Sequence, residues 1–308
     1  MVGVTQDAPK SKVTFVTLTK NAEPYIRRTL ESLRMQKYEP REIWVVDGGS
    51  TDKTLEIAGG LADRVLTVEP GMGVARERAR KASNSKYLFY LDGDKYLTDQ
   101  EAVSKLVSKL EKNPGLAACQ AMWAVDTDSL KHSMVARVEQ FRYRRFYGKV
   151  ADKTTRYITP GATAFRASAL QRIGGFRSDL KETEDSDISL RLIDAGYDLM
   201  VTSAVVATHH WDESFTQLLA KAFRSGGEYY RIWRSSTKSA WPFMASSNPF
   251  HAIVRGIKMG VVALIETRDI VLSSFVVVQV SSYYTFFFTG FLVQLIAGRL
   301  GLGRESSS

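Results

Sequence analysis

Two carboxylates separated by one glycine, Asp92-Gly93-Asp94, follow directly on the apolar run Tyr87-Leu88-Phe89-Tyr90-Leu91. Five aromatic and branched side chains between a polar stretch and a charge cluster read as a buried strand delivering acids at its carboxyl end. Gly93 permits a sharp turn and lets a bound group approach the backbone. Oxygen ligands of this kind suit Mn2+ or Mg2+, and Mg2+ is commonly held by one or two carboxylates plus substrate phosphates. The same residues also read as a strand followed by an Asp-Gly turn.

Three other groups of residues could join this turn in chemistry. Asp47 ends the apolar stretch 42–47, Thr183-Glu184-Asp185 opens an amphipathic stretch, and His209-His210 ends a further apolar segment. A histidine at a strand end could complete a metal site begun by a carboxylate, or be a hydrogen-bonded structural residue. Acids in the first turn of a helix commonly act as dipole partners and caps, a reading that fits Asp187 better than Glu184 or Asp185.

The elements needed to position these groups alternate along the chain. Residues 13–19 read as a first strand, and a helix follows with Pro24 where a first turn tolerates it. A second strand ends at Asp47, and the turn 48–52 offers hydroxyls and a carboxylate for free amides. A third strand at 65–68 leads through Gly71-Met72-Gly73 into a helix carrying Arg76, Arg78 and Arg80. A glycine-rich turn at a helix start with arginine one turn later suits diphosphate, though a plain solvated basic helix has the same pattern. Further helices are expected at 99–112 and 188–195, and further strands at 116–125, around 162–166 and at 197–207. Strands alternating with helices predict an α/β fold with right-handed crossovers and a mostly parallel twisted sheet flanked by helices.

A net charge of +9 points to an anionic partner, whether nucleic acid, an acidic membrane surface or a phosphorylated substrate. Cys119 is the only cysteine, which excludes a disulfide framework and a cysteine-rich zinc site. Basic and aromatic residues interleave between 131 and 157, including Arg142, Tyr143, Arg145 and Tyr157. Such a mixture suits base stacking, membrane headgroups or a helix packed through its aromatic faces. The run from Ile270 to Ala297 has 28 residues without a charge, and about 20 apolar residues suffice to cross a bilayer core. Basic residues cluster before it, which predicts a cell-membrane protein with its catalytic domain facing the cytosol. Residues 250–265, interrupted by Arg255 and Lys258, read as an interfacial helix or as the first arm of a spanning hairpin. The expected organisation is a tail at 1–12 without the apolar core of a signal peptide, a catalytic domain at 13–225, an amphipathic interfacial segment at 226–268, a transmembrane helix at 269–298 and a tail at 299–308.

Taken together, these motifs resemble the family-2 glycosyltransferases of the GT-A fold. The resemblance rests on Leu18-Thr19 through Glu23, Val45-Val46-Asp47 with the following turn, Ala75-Arg76, Leu91-Asp92-Gly93-Asp94, Gly161-Ala162 with Phe165-Arg166, Gly174-Gly175-Phe176 and Thr183-Glu184-Asp185. It implies that Thr19, Glu23, Asp47, Arg76, Asp92 and Gly93 bind a nucleoside-diphosphate sugar. Asp94 would carry Mn2+ or Mg2+, with His209 and His210 as candidate nitrogen ligands. Asp185 would be the base of an inverting displacement with Glu184 beside it, while Gly161, Ala162, Arg142 and Arg145 would meet the acceptor. Gly48 and Lys20 depart from the family's usual residues. Gln217 to Lys221 lacks the Gln-x-x-Arg-Trp signature of the processive members, which implies transfer of one sugar. The acceptor is expected to be lipid-linked, bearing a hydroxyl; a polyprenyl phosphate of the dolichyl-phosphate type is the alternative, and a catalytically silent lipid-binding scaffold at the membrane is a reading from another class. A nucleic-acid partner is not expected.

Overall fold

The computed structural model describes residues 11–235 and 248–300. The expected tails up to residue 10 and beyond residue 300, and segment 236–247, lie outside the described residues. In order, the elements are β1 (Val13–Thr19), α1 (Ile26–Arg34), β2 (Arg41–Asp47), α2 (Thr54–Leu61), β3 (Arg64–Thr67), α3 (Met72–Ala82), β4 (Tyr87–Leu91), β5 (Lys95–Leu97), α4 (Ala102–Lys112), β6 (Leu116–Val125) and α5 (Thr127–His132). Next come α6 (Met134–Val150), β7 (Lys153–Thr155), β8 (Ala162–Arg166), α7 (Ala167–Arg172), α8 (Glu184–Asp194), β9 (Asp198–His209), α9 (Phe215–Ser235), α10 (Pro249–Thr267) and α11 (Ile270–Arg299).

The strands form one sheet in the order β3-β2-β1-β4-β8-β6-β9-β5, with β7 also on β9. Alternation along β1 and β4 explains why both faces are covered. Val13 and Phe15 with Tyr87, Phe89 and Leu91 pack on α1 and α4, while Val16, Leu18, Leu88 and Tyr90 pack on α3, α7 and α8. The pairings β1–β2, β1–β4, β2–β3 and β6–β9 are parallel. Those of β8 with β4 and β6, and of β5 and β7 with β9, are antiparallel. The sheet is thus mixed: the expected parallel half is joined to one in which β5, β7 and β8 run backwards. At three residues each, β5 and β7 are too short to carry a readable alternation. Because β8 is reversed, its beginning lies at the same edge as the ends of β1, β2, β4 and β9.

The C-terminal helices depart from the expected organisation. The boundary at 225/226 falls inside α9, a continuous helix, so no linker separates the catalytic domain from the C-terminal helices at that point. Helices α10 and α11 form a hairpin joined at Arg268 and Asp269, where Arg268 adopts φ +55 and the Asp269 side chain accepts from the Leu272 amide. Among the described residues α11 is the one helix long and apolar enough to cross a membrane; α10 carries Arg255, Lys258 and Glu266. The α11 helix does not stand free of the domain. Val276 and Val280 pack with Val138 and Phe141 of α6, and Gln279, fully buried, donates to Glu139 of α6 at 2.7 Å.

Glycines set the approach of α9 to α11. A Cβ on Gly226 would lie 1.8 Å from the Phe287 carbonyl oxygen, and one on Gly290 would lie 1.9 Å from that of Phe223. Replacing Gly290 by alanine is expected to push these helices apart and cost about 1–3 kcal/mol of stability. Gly59→Ala, in open space on α2, serves as the control for the gain in helix propensity that both substitutions share. Thermal unfolding of the detergent-solubilised chain reads both, and equal midpoints for the two variants would refute the packing argument.

Candidate active site

Sheet register assembles the acids. Thr19 pairs with Asp47 at the ends of β1 and β2, Leu91 pairs with Ala162, and His209 pairs with both Lys95 and Val125. Backbone bonds then hold the Asp92-Gly93-Asp94 turn: the Asp92 amide donates to Gly161 O at 3.1 Å and the Gly93 amide to Leu18 O at 3.0 Å. A side chain at Gly93 would press on Leu18 O, and one at Gly161 would overlap the Asp92 carboxylate at 2.2 Å. Both glycines are therefore spacers for the acid, and each stands out in the sequence.

Arg76, only 1% exposed, lies behind the turn. Its Nη2 donates to Asp92 Oδ1 at 2.9 Å and its Nε to Glu184 Oε1 at 3.2 Å, while Nη1 is buried without a partner. Burial weakens the charge on Arg76, but Asp92 and Glu184 outweigh it and hold the guanidinium firmly protonated. Burial likewise pushes Glu184 up to about 7; Arg76 opposes that rise and the Asp185 charge adds to it. The Asp185 carboxyl is also raised by burial, against a hydrogen bond from the Tyr157 hydroxyl and another from the Ser186 amide.

Asp94 has the opposite character. Burial works against its charge, yet Lys95 and His209 prevail and hold its carboxyl well below the usual range. Lys95, 3% exposed, bridges the pair, with Nζ 2.8 Å from Asp94 Oδ1 and 3.3 Å from Asp92 Oδ2. It also lies 4.5 Å from the Trp123 ring centroid. The His209 Nε2 is 3.1 Å from Asp94 Oδ2, and its Nδ1 is 3.2 Å from the Tyr143 hydroxyl. Trp123 and Trp211 pack edge-on to the imidazole. No cluster of three His, Cys, Asp or Glu side chains forms a closed cage among the described residues. One carboxylate and one imidazole with an open side fit a divalent ion whose coordination is completed by substrate oxygens.

At the ends of β1, β2 and β3 a cleft of about 490 Å³ is lined by Lys20, Gly48, Gly49, Thr67, Val68 and Glu69. Asp47, fully buried, accepts from the amides of Gly49 and Ser50 at 2.8 Å each and so shapes the floor of this cleft. The Thr19 hydroxyl is buried without a partner. Glu23 accepts from the Lys53 amide while its own amide donates to Asp52, a brace between the two loops at the rim.

Three candidates point elsewhere. His210 turns its Nδ1 to Asp126 at 2.7 Å and stacks on Tyr25, because neighbours along an extended strand face opposite sides. The expectation that both histidines face Asp94 is thereby corrected to His209 alone. Arg145 pairs with Glu266 of α10 at 2.6 Å, and Arg142 pairs with Glu139 at 2.5 Å beneath the Tyr283 ring. Their helical spacing on α6 directs both towards the C-terminal hairpin. Conversely, Lys95, Trp123, Tyr143 and Tyr157 touch the acids or His209, a role that sequence reasoning missed. Lys95 had one usable signal, its adjacency to Asp94; the other contacts are made by strand pairing and helix packing far along the chain.

Comparison with known proteins agrees with this architecture. The mannosyltransferase PcManGT from Pyrobaculum calidifontis, solved with GDP-Man and Mn2+, superposes with a TM-score of 0.60 over 96% of this chain and 88% of its own, at 18% identity. Glucosyl-3-phosphoglycerate synthase from Mycobacterium tuberculosis, solved with Mn2+, UDP and glucosyl-3-phosphoglycerate, gives 0.54 over 72% of this chain and 80% of its own, also at 18%. In sequence, the O-antigen chain rhamnosyltransferase RfbN of Salmonella typhimurium is 23% identical over 70% of this chain and 71% of its own length. The poly-beta-1,6-N-acetyl-D-glucosamine synthase of Staphylococcus aureus is 25% identical over 60% of this chain, which spans only 46% of that protein. Residues 14–174 match the family described as Glycosyl transferase family 2, and with the acids gathered at one sheet edge on a GT-A fold, the chain belongs to that family of glycosyltransferases.

Proposed function

We propose that this glycosyltransferase moves one sugar from a nucleoside-diphosphate sugar to a hydroxyl of a lipid-linked acceptor, with inversion at the anomeric carbon. The observation that carries the proposal is the contact of Asp185 with a hydroxyl, that of Tyr157, beside the Arg76-bridged acids. The Asp185 oxygen that accepts from the Tyr157 phenol is the one an acceptor alcohol would use on taking that hydroxyl's place. A polyprenyl-phosphate acceptor is already ionised and would give Asp185 no proton to take.

In this reading Asp185 removes the acceptor proton as the acceptor oxygen attacks the anomeric carbon, and the bond to the diphosphate breaks on the opposite face. The cleft beside Gly48 would receive the nucleoside, with Asp47 fixing the turn 48–50 that borders it and Thr19 at the end of β1 next to it, while Arg76 holds Asp92 and Glu184 from behind. Asp94 and His209 would hold Mn2+ or Mg2+, which when bound neutralises charge developing on the leaving diphosphate. Gly161 and Ala162 border the acceptor side. The α10–α11 hairpin, whose outer face exposes Ile253, Ile257, Val261, Val271 and Val278, is read as the membrane-embedded part. The basic residues that precede α11 orient the catalytic domain to the cytosol.

Asp185→Asn is expected to lower transfer by about 100- to 10,000-fold while leaving nucleoside-diphosphate affinity intact. Labelled nucleotide sugars with Mn2+ and a membrane lipid extract would read the first through label in the organic phase, and calorimetry the second. Turnover at the unsubstituted rate would remove Asp185 as the base.

The acid pair also sets a pH dependence. Glu184 at about 7 takes up a proton near neutrality, and Asp185, raised above the ordinary carboxylate value by burial, takes one up at higher pH than a free aspartate does, so transfer is expected to decline on the acid side. Glu184→Gln deletes a neighbouring negative charge, which lowers the Asp185 carboxyl and moves this limb to lower pH. A rate profile whose acid limb stays in place, or moves to higher pH, would contradict the coupling.

A further inference from the structure

Glu228 of α9 stands apart from the row of acids but controls the segment that presents two of them. Its Oε1 accepts from the Lys181 amide at 2.9 Å, and its Oε2 accepts from the amides of Glu182 at 2.8 Å and Thr183 at 3.2 Å and from the Thr183 hydroxyl at 3.1 Å. Thr183 stands at the start of α8 and makes no capping bond of its own, since its hydroxyl is turned to Glu228. One carboxylate from another helix therefore organises three consecutive amides, and the next two residues are Glu184 and Asp185. The neighbouring Glu182 is tied to the same helix by Arg224 at 2.6 Å and Ser225 at 3.2 Å.

The opposite side of this segment rests on α3. The Met72 amide donates to Lys181 O at 3.3 Å, and a Cβ on Gly73 would lie 2.1 Å from Arg177 O and 2.6 Å from Leu180 O. Loop 177–183 is thus held between α3, which carries Arg76, and α9, which packs on α11 through Gly226 and Gly290. A carboxylate is the fitting group because it only accepts, and here it meets four donors.

We infer that Glu228 is a positioning residue, which fixes the loop before α8 so that Asp185 is held in line for proton removal. It touches neither donor nor acceptor and acts through the backbone of 181–183. The inference rests on the proposed role of Asp185. Misplacing a reacting group by about 1 Å can cost about 100-fold in rate. Glu228→Ala is accordingly expected to lower kcat by about 100-fold with KM for the donor and nucleoside-diphosphate affinity nearly unchanged. Glu228→Gln keeps an acceptor oxygen for Glu182 and Thr183 and should recover most of that loss. Glu228→Asp keeps the charge but falls one methylene short, and should behave like the alanine variant.

Amide hydrogen exchange of the full-length chain supplies a readout independent of turnover. The amides of 181–183 should lose protection in Glu228→Ala, and those of 182 and 183 should retain it in Glu228→Gln. If the alanine variant fails to fold, Glu228→Asp carries the same comparison. Transfer at the unsubstituted rate in the alanine or aspartate variant would overturn the inference, as would a loss of donor affinity equal to the loss of kcat, or a glutamine variant as slow as alanine. Failure of the unsubstituted chain to bind any nucleoside diphosphate would instead refute the proposed function, and unchanged exchange at 181–183 would refute the Glu228 contact itself.

Discussion

The ion triad of Arg76 with Asp92 and Glu184 joins the two halves of the molecule. Arg76 comes from α3, Asp92 follows β4, and Glu184 opens α8, so a single guanidinium ties elements 16 and 108 residues away in sequence. Desolvating charges is costly, and a buried ion pair repays that only with good geometry and further hydrogen bonds; removing one partner commonly costs about 3–5 kcal/mol. When Glu184 is ionised, two carboxylates around one cation leave a net negative charge, and Lys95 compensates for part of it by bridging Asp92 and Asp94. The result is a graded row of acids. Asp94 is held firmly ionised, whereas Glu184 and Asp185 keep their protons to higher pH because burial outweighs the cations that reach them.

That grading is consistent with the division of labour proposed for Asp94 and Asp185. A group that faces a metal and a departing diphosphate must stay charged throughout the physiological range. A group that takes a proton from an alcohol works best with an affinity for it closer to neutral. Both are built from the same residue type, and the difference comes from position: Asp94 sits beside an ammonium and an imidazole, while Asp185 meets a phenol and a backbone amide.

Much of this was legible in the chain itself, for identifiable reasons. The run Tyr87 to Leu91 alternates between two buried faces, and the glycines at 93 and 161 stand where a side chain would collide with backbone or carboxylate. Gly175 is another such position: it adopts φ +81, and a Cβ there would overlap Glu77, whose carboxylate accepts from the Phe176 amide. The motif Gly174-Gly175-Phe176 is therefore a packing device that steadies α3. The features that could not be read depended on partners distant in sequence. The reversal of β5 brings Lys95 opposite His209, and Tyr157 meets Asp185 only because Ile158 is bonded to Ser189 of α8. The misplaced His210 comes from ignoring that, one residue past the end of β9, its side chain leaves on the face opposite to that of His209.

The C-terminal helices extend the same logic beyond the sheet. Between helices in lipid there is no hydrophobic driving force, so close packing of small residues and interhelical hydrogen bonds must supply the association. Gly256 and Gly260 let α10 approach Val277 and Ser281 of α11, and Gln279 of α11 donates to Glu139 of α6. Together with the close approach of α9 at Gly226 and Gly290, these contacts fasten α11 to α10, α6 and α9. A helix fastened in this way cannot serve as a loose tether. If it enters the membrane as proposed, the acid row must lie at a fixed height above the bilayer, and an acceptor of defined reach is delivered to Asp185 by geometry instead of by diffusion of the domain. The path from lipid to base then runs through α11, α9 and the loop before α8, all of them packed elements, so distance from the membrane becomes a determinant of which acceptors are used.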